Sequence, residues 1–488
     1  MVTVKPSCVA LGVLPLVLFW ATACGGGSRA NVRAAAAITP PAGRPQAPPR
    51  LRQPPQLRSR HGLLRATLIE RPASFHIAGR VVRGNGYDGR FVGPTLRVRP
   101  GDTIELHLVN RLGQPTNLHV HGLHVSPTGD ADNVLRVMAA GSTDVVRIRV
   151  PRTAAYGTYW YHPHMHGDSE AQVFSGLSGA IVVDGLRDRL PARLRRIPDR
   201  LIALKDFQAS KGAIKTEDID SGQPTTRTVD GMVDPELSAR PGQTQLWRLA
   251  NIGADIWYRL HVPGLRFHVL AEDGNPVARV WAAGVLNLPP GKRYDVLVRF
   301  GRARPTALET LAMSTGPGGD HYPRTRLASV RVAGRAVRPV PVPGRLAGVA
   351  PRLLPRFAGA HVDHRRVMTF SENEQQRKFM INGRVFDPHH VNAHVRLGDT
   401  EEWVLRNVSK ELHPFHMHTN AFQVMSIDGR PYHARSLQDT VSLPVGGRVV
   451  IRVRFATFTG RSMFHCHILN HEDHGMMGMI DVTKTGVP

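Results

Sequence analysis

An all-β architecture of three related domains is predicted by two features of the 488-residue sequence. The first is a succession of short alternating runs. LRVRP, TIELHLVN, VVRIRVP, GAIVVDG, YDVLVRF and RVVIRVRF each read as a strand bounded by Gly, Pro or Asn. No long amphipathic helix interrupts them, and 47 Gly and 38 Pro suit a chain of many turns. The second is an internal repeat. RPGDTIELHLVNRLGQPTNLHVHG begins at Arg99, RPGQTQLWRLANIGADIWYRLHVPG at Arg240 and RLGDTEEWVLRNVSKELHPFHMHT at Arg396. Such repeated strand patterns predict sandwiches or Greek-key barrels.

The repeat also separates the copies by chemistry. A Gly precedes an Asn by nine residues in each: Gly101 and Asn110, Gly242 and Asn251, Gly398 and Asn407. Nine residues further on stand His119 and His121 in the first copy, and His416 and His418 in the third. The second copy has Leu260 and Val262 there, with His261 expected on the opposite face of its strand. The expected domains are 62–187, 197–335 and 366–488, with a Pro-, Arg- and Ala-rich linker at 336–365.

Residues 1–24 read as an export signal. The apolar run from Ala10 to Trp20 is too short to span a bilayer. Ala21-Thr22-Ala23-Cys24 followed by Gly-Gly-Gly-Ser resembles a bacterial lipoprotein cleavage site. It predicts a lipidated Cys24, a membrane tether and a place on the outer face of the cell envelope; simple secretion is the alternative. Residues 25–61 hold seven prolines and no apolar periodicity, and are expected to be a disordered tether. The net charge of +25 is spread along the chain without a nucleic-acid motif, so nucleic acid is not an expected partner.

With the signal removed, only Cys24 and Cys466 remain, so no disulfide framework is expected. An exported lone cysteine is oxidised unless it is buried or metal-bound, which points Cys466 towards a ligand role. Its surroundings agree: HCHILNHEDHGMM, residues 465–477, holds four His, one Cys and two Met. Three further clusters are His119-Val-His121, His162-Pro-His164 and His413-Pro-Phe-His416-Met-His418. Residues i and i+2 of a strand share a face. Each His-x-His pair therefore aims two imidazoles one way, while Cys466 points opposite to His465 and His467. One strand can then serve two metal sites. The cysteine face, with Cys466, His413, His471 and Met476, has the donors of a blue-copper electron-transfer site, two imidazoles, a thiolate and a weak thioether. A structural zinc site needs neither the Met nor eight further clustered histidines.

HVHG, WYHPHMHG, HPFHMH and HCHILNHEDHGMM together make residues 65–488 resemble the multicopper oxidases, in their three-domain, laccase-like form. LPPGKRYDV and AEDGNP in the middle domain fit that form. The resemblance implies three cupredoxin-like domains and four copper ions. It implies His413, Cys466, His471 and Met476 as type 1 ligands, and His119 and His416 as type 2 ligands. His121, His162, His164, His418, His465 and His467 would be the ligands of the type 3 pair. It further implies Glu472 as a proton-relay acid and Asp130 as the carboxylate near the cluster, with Asp132 a close rival. The implied reaction is the oxidation of phenolic or aromatic substrates, or of ferrous or cuprous ions, with O2 reduced to water. Residues 336–365 contain no Met, which favours a phenol oxidase or general metallo-oxidase over a dedicated cuprous oxidase. Three alternatives are a copper-sequestering protein, an enzyme like copper nitrite reductase and a copper-free division or scaffold protein. The first would not need Cys466 wired to a histidine cluster. The second would lack the six paired histidines, and the third would lack the donor set.

Overall fold

The computed structural model describes residues 47–217, 219–349 and 357–485. The expected signal peptide, Cys24 and the first part of the tether lie outside these residues. The described chain folds as three pairs of β-sheets, one pair per repeat, each pair enclosing an apolar core.

In the first pair, a sheet containing Leu63–Ile77, Arg80–Tyr87, Thr103–Asn110 and Thr143–Arg149 faces one containing Thr95–Val98, His119–His121, Gly157–His162 and Gly179–Val183. The middle pair is built around Asp199–Phe207, Thr244–Asn251 and Arg293–Arg299 on one side, and Tyr258–His261, Thr306–Thr310 and Thr325–Val332 on the other. The third repeats the plan. His364–Asn373, Thr400–Asn407 and Arg448–Arg454 form one sheet with their neighbours, and His413–Met417, Gly460–Cys466 and Met477–Thr483 the other. No helix among the described residues is long and apolar enough to cross a membrane.

The repeated Asn has one job in all three copies. It ends a strand, and its Oδ1 accepts a backbone N–H two residues on: Leu112 at 2.9 Å, Gly253 at 3.2 Å and Ser409 at 3.0 Å. Its Nδ2 donates to a carbonyl four or five residues on: Gln114, Ile256 and Glu411. This side-chain turn folds the chain back into the next strand, the one that carries the His-x-His pair. In the middle copy Leu260 and Val262 are buried in the core instead, and His261 is only half-buried.

One sequence expectation fails here. Residues 50–58, assigned to a disordered tether, are bound to the body. Gln56–Arg58 pairs in parallel with Thr95–Val98, Arg50 bridges Glu236, and Gln53 bonds Leu201 and Asp230 of the middle domain. An edge strand needs only free backbone groups, and here Leu51 and Leu57 each pack on a core. Neither requirement leaves an apolar period in the sequence.

Candidate metal centre

Strand pairing assembles the clusters. His119 lies opposite His162, and His121 opposite Trp160. In the third domain His416 lies opposite His465, and Phe415 opposite Cys466. The alternation along Gly460–Cys466 sends Cys466 into that domain's apolar core. His465 instead reaches His164 of the first domain, Nε2 to Nε2, at 3.2 Å.

Around Cys466, Sγ is 3.5 Å from His413 Nδ1 and 3.7 Å from His471 Nδ1, and these two nitrogens are 3.3 Å apart. The outer nitrogens are engaged elsewhere. His413 Nε2 meets the Ser409 hydroxyl at 2.6 Å, and His471 Nε2 lies 3.1 Å from Glu411 Oε1. Met476 is buried in the same core, its carbonyl accepting the Cys466 N–H and its own N–H donating to the His471 carbonyl. Phe379 stacks on the His471 ring, with centroids 4.0 Å apart. Burial pushes the Cys466 thiol well above its ordinary pKa and lowers His413 to about 3. A thiolate here therefore needs a cation, and the neutral imidazoles keep lone pairs to offer one.

The other eight histidines converge between the first and third domains, all buried. His465 Nε2 is 3.2 Å from both His164 Nε2 and His418 Nε2, and His467 Nε2 is 3.1 Å from His121 Nδ1. His119 stacks on His418, and His121 on His416. Burial, reinforced by neighbouring imidazoles, lowers His119, His121, His162, His418 and His467 far below the usual range, and burial takes His164 to about 4. Neutral imidazoles packed this closely leave acceptor nitrogens facing one another. The Nε2 atoms of His119, His162 and His416 have no hydrogen-bond partner. Their Nδ1 atoms are tied instead to Asp132, the Pro163 carbonyl and the Asp439 carbonyl, at 2.9, 2.8 and 2.8 Å. Buried polar atoms are rarely left unpaired, so these orphaned lone pairs fit metal ions. Imidazole and thiolate donors with a nearby thioether suit copper.

The two predicted acids fare differently. Glu472 is fully buried, with Oε2 2.9 Å from His465 Nδ1 and Oε1 3.5 Å from His164 Nδ1. The His465 N–H itself is directed at the Cys466 carbonyl. Burial alone would raise the Glu472 pKa, but the adjoining imidazoles outweigh it and hold the carboxyl below its usual range.

Asp130 is not at the site. Its side chain is 49% exposed and pairs with Arg147 on the surface. Asp132 takes the place assigned to it, wholly buried, with Oδ1 accepting from His119 Nδ1 and the Val120 N–H, both at 2.9 Å. The loop from Ser126 to Asp132, closed by the bond from Asp132 N to Ser126 O, turns Asp132 inward and Asp130 out. Loop geometry of this kind is invisible in residue spacing.

Outside the two donor sets, His124 Nδ1 donates to the Thr419 carbonyl, and His166 packs on Phe386. His474 is half-buried, with Nδ1 donating to the Asn470 carbonyl. Ser409, Glu411 and Asp439 were not singled out in the sequence, and Gly291 and Arg293 stood there only as members of the LPPGKRYDV stretch. Ser409 and Glu411 lie within four residues of His413, a proximity that could have flagged them. Gly291 is in the middle domain, yet a Cβ there would come within 2.9 Å of His121 and 3.1 Å of His467.

Comparisons with known proteins identify the family. Family models described as multicopper oxidase match residues 72–188, 205–307 and 361–486. The multicopper oxidase mco of Staphylococcus aureus is 30% identical over 410 residues, covering 82% of this chain and 84% of that protein. The cell division protein FtsP of Edwardsiella tarda is 28% identical over 447 residues, covering 88% and 92%. Among solved structures, the Campylobacter jejuni multicopper oxidase, described as a metallo-oxidase, superposes with a TM-score of 0.80 at 24% identity, covering 92% of this chain and 98% of that one. Three cupredoxin-like domains, two histidine-rich donor sets and these matches lead to one conclusion: the chain belongs to the multicopper oxidase family, copper-dependent oxidoreductases that use O2.

Proposed function

We propose that this chain is a laccase-like oxidase, taking single electrons from a small phenolic or aromatic donor, or from a ferrous or cuprous ion. His413, Cys466, His471 and Met476 would hold a type 1 copper. His119 and His416 would hold the type 2 copper, and His121, His162, His164, His418, His465 and His467 the type 3 pair. Copper bound there supplies the one-electron redox steps and the four-electron reduction of O2 to water.

The convergence of eight buried imidazoles with orphaned nitrogens, joined by one peptide stretch to a buried Cys-His-His cluster, carries this reading. Cys466 is bonded directly to His465 and His467, so the two donor sets share a continuous backbone connection. His471 is the donor nearest the surface of its cluster, with His413 and Cys466 wholly buried behind it. Electron donors therefore dock beside His471, flanked by Phe379 and Glu411. Glu472, in reach of His164 and His465, holds and passes a proton at its carboxylate. Asp132 orients His119 by fixing its Nδ1–H, leaving Nε2 for metal.

The complete donor set disfavours a copper-free role like that of a scaffold protein, and the six paired histidines exceed what a nitrite reductase of two copper-bearing domains uses. The sequence pattern at residues 1–24 supports export to the cell envelope or secretion, with Cys24 as the candidate membrane anchor. Oxygen uptake by the copper-loaded protein tests the activity, with a phenol, ferrous ion and cuprous ion supplied in turn. Uptake with at least one donor is expected, the fastest identifying the donor class. A fully loaded protein that consumes no oxygen with any of them would leave copper sequestration instead.

A further inference from the structure

We propose that Arg293, a residue of the ligand-free middle domain, is a positioning residue for the trinuclear histidine set and acts through Asp439. The inference rests on the ligand assignment proposed above.

Arg293 is completely buried and touches all three domains. Nη1 and Nη2 donate in parallel to Oδ1 and Oδ2 of Asp439, each at 2.7 Å. Nη1 also donates to the Gly291 carbonyl at 2.9 Å, and Nε to the Thr158 carbonyl of the first domain at 3.2 Å. Asp439 in turn meets two imidazoles. Its carbonyl accepts from His416 Nδ1 at 2.8 Å, and its Oδ1 lies 3.3 Å from His121 Nε2. These contacts decide which ring nitrogen is left for metal: the unpartnered Nε2 in His416, and in His121 the Nδ1 that faces His467.

The rest of the segment is gripped by the same domain. Lys292 Nζ donates to Gln438 Oε1 and the Thr440 carbonyl, both at 2.9 Å, and the Asp439 N–H donates to Asp273 Oδ2. A guanidinium fork sets both the position and the plane of a carboxylate, which an ammonium cannot do. The sequence makes room for it. A Cβ at Gly122, the residue after His121, would collide with the Arg293 guanidinium and come within 2.5 Å of Asp439 Oδ2. Thus the middle domain, which supplies no ligand, sets the geometry of imidazoles from both its neighbours.

A buried ion pair that merely holds domains together would be the plainer explanation, and the same domain contains a control for it. Arg248 is similarly buried and bonds Asp199 at 2.7 Å and Asp295 at 3.0 Å, with no imidazole contact among the described residues. The experiment compares Arg293→Lys, Arg248→Lys and the unaltered full chain after copper loading. Bound copper is counted during dialysis against a graded chelator, the type 2 electron paramagnetic resonance and type 1 blue absorption are recorded, and melting is followed. Both variants are expected to melt at lower temperature. Only Arg293→Lys should lose trinuclear copper, holding it about 10–100-fold more weakly while keeping its blue absorption. Asp439→Asn should match it, and the double variant should be no worse than either single one; this series stands in if Arg293→Lys does not fold. Copper retention in folded Arg293→Lys or Asp439→Asn equal to that of Arg248→Lys would overturn the proposal. A wild-type protein that binds no trinuclear copper would overturn the ligand assignment as well.

Discussion

Replacing Asp132 by Ala, beside Asp130→Ala as its neighbour control, separates a carboxylate that serves the site from one that does not. Asp132 Oδ1 accepts two hydrogen bonds in a buried pocket, from His119 Nδ1 and the Val120 N–H. Removing the carboxyl leaves the buried His119 Nδ1–H unsatisfied, which costs about 1–3 kcal/mol. At 1.4 kcal/mol per tenfold, losing the His119 bond alone corresponds to a weakening of copper binding at His119 of about 5–150-fold. The lost bond to Val120 adds to the destabilisation of the fold. Asp130 and Arg147 form an exposed pair, each about half accessible, and solvent screens such pairs so that they contribute little to stability. Chelator competition followed by electron paramagnetic resonance reads the type 2 signal directly, and the blue absorption reports the untouched Cys466 site. Asp132→Ala should lose the type 2 signal at chelator concentrations that Asp130→Ala and the wild type survive. If Asp130→Ala proves the more sensitive, the orientation of His119 by Asp132 is wrong.

Gly291→Ala should disturb His121 and His467, proposed above as type 3 ligands, without replacing either. The added methyl would press on His121 and His467, at a backbone φ of +81° that an L side chain rarely adopts; copper content and blue absorption distinguish this from global unfolding. Glu472→Gln preserves volume and removes the carboxyl proposed to carry a proton beside His164 and His465. Its oxygen turnover should fall by about 10²–10⁴ with the blue absorption intact, and a normal rate and pH profile would remove Glu472 from the proton route. Glu70, buried against Tyr87, is raised by burial from 4.5 to about 8. The native state then binds one more proton than the unfolded chain between these pH values, so stability falls as pH rises through that window and levels off above it. Glu70→Gln should flatten this slope, measured as urea midpoints at pH 5 and pH 8, and an unchanged slope would assign it to other groups.

The repeat was legible because three Asn residues perform the same turn in three strands, and a one-residue shift would have moved His119 and His121 off their face. The opposed directions of His465 and Cys466 were legible for the same reason, since strand alternation is fixed by the backbone. What escaped depended on tertiary contact. Asp439 and Gly291 serve the histidines only because separate domains fold against one another. Asp130 was preferred to Asp132 although the two are separated by a single residue, and only the loop that closes on Ser126 decides between them. The strand at Gln56–Arg58 was hidden because backbone pairing at a sheet edge carries no composition signal.

The proposed coupling of a one-electron site to a four-electron site has a direct measure: the ratio of donor molecules oxidised to oxygen consumed, with peroxide assayed in the same reaction. Cys466 joined through the backbone to His465 and His467 should give four one-electron oxidations per O2 and no accumulated peroxide. Two oxidations per O2 with stoichiometric peroxide would mean that the eight buried histidines do not act as a single oxygen-reducing centre.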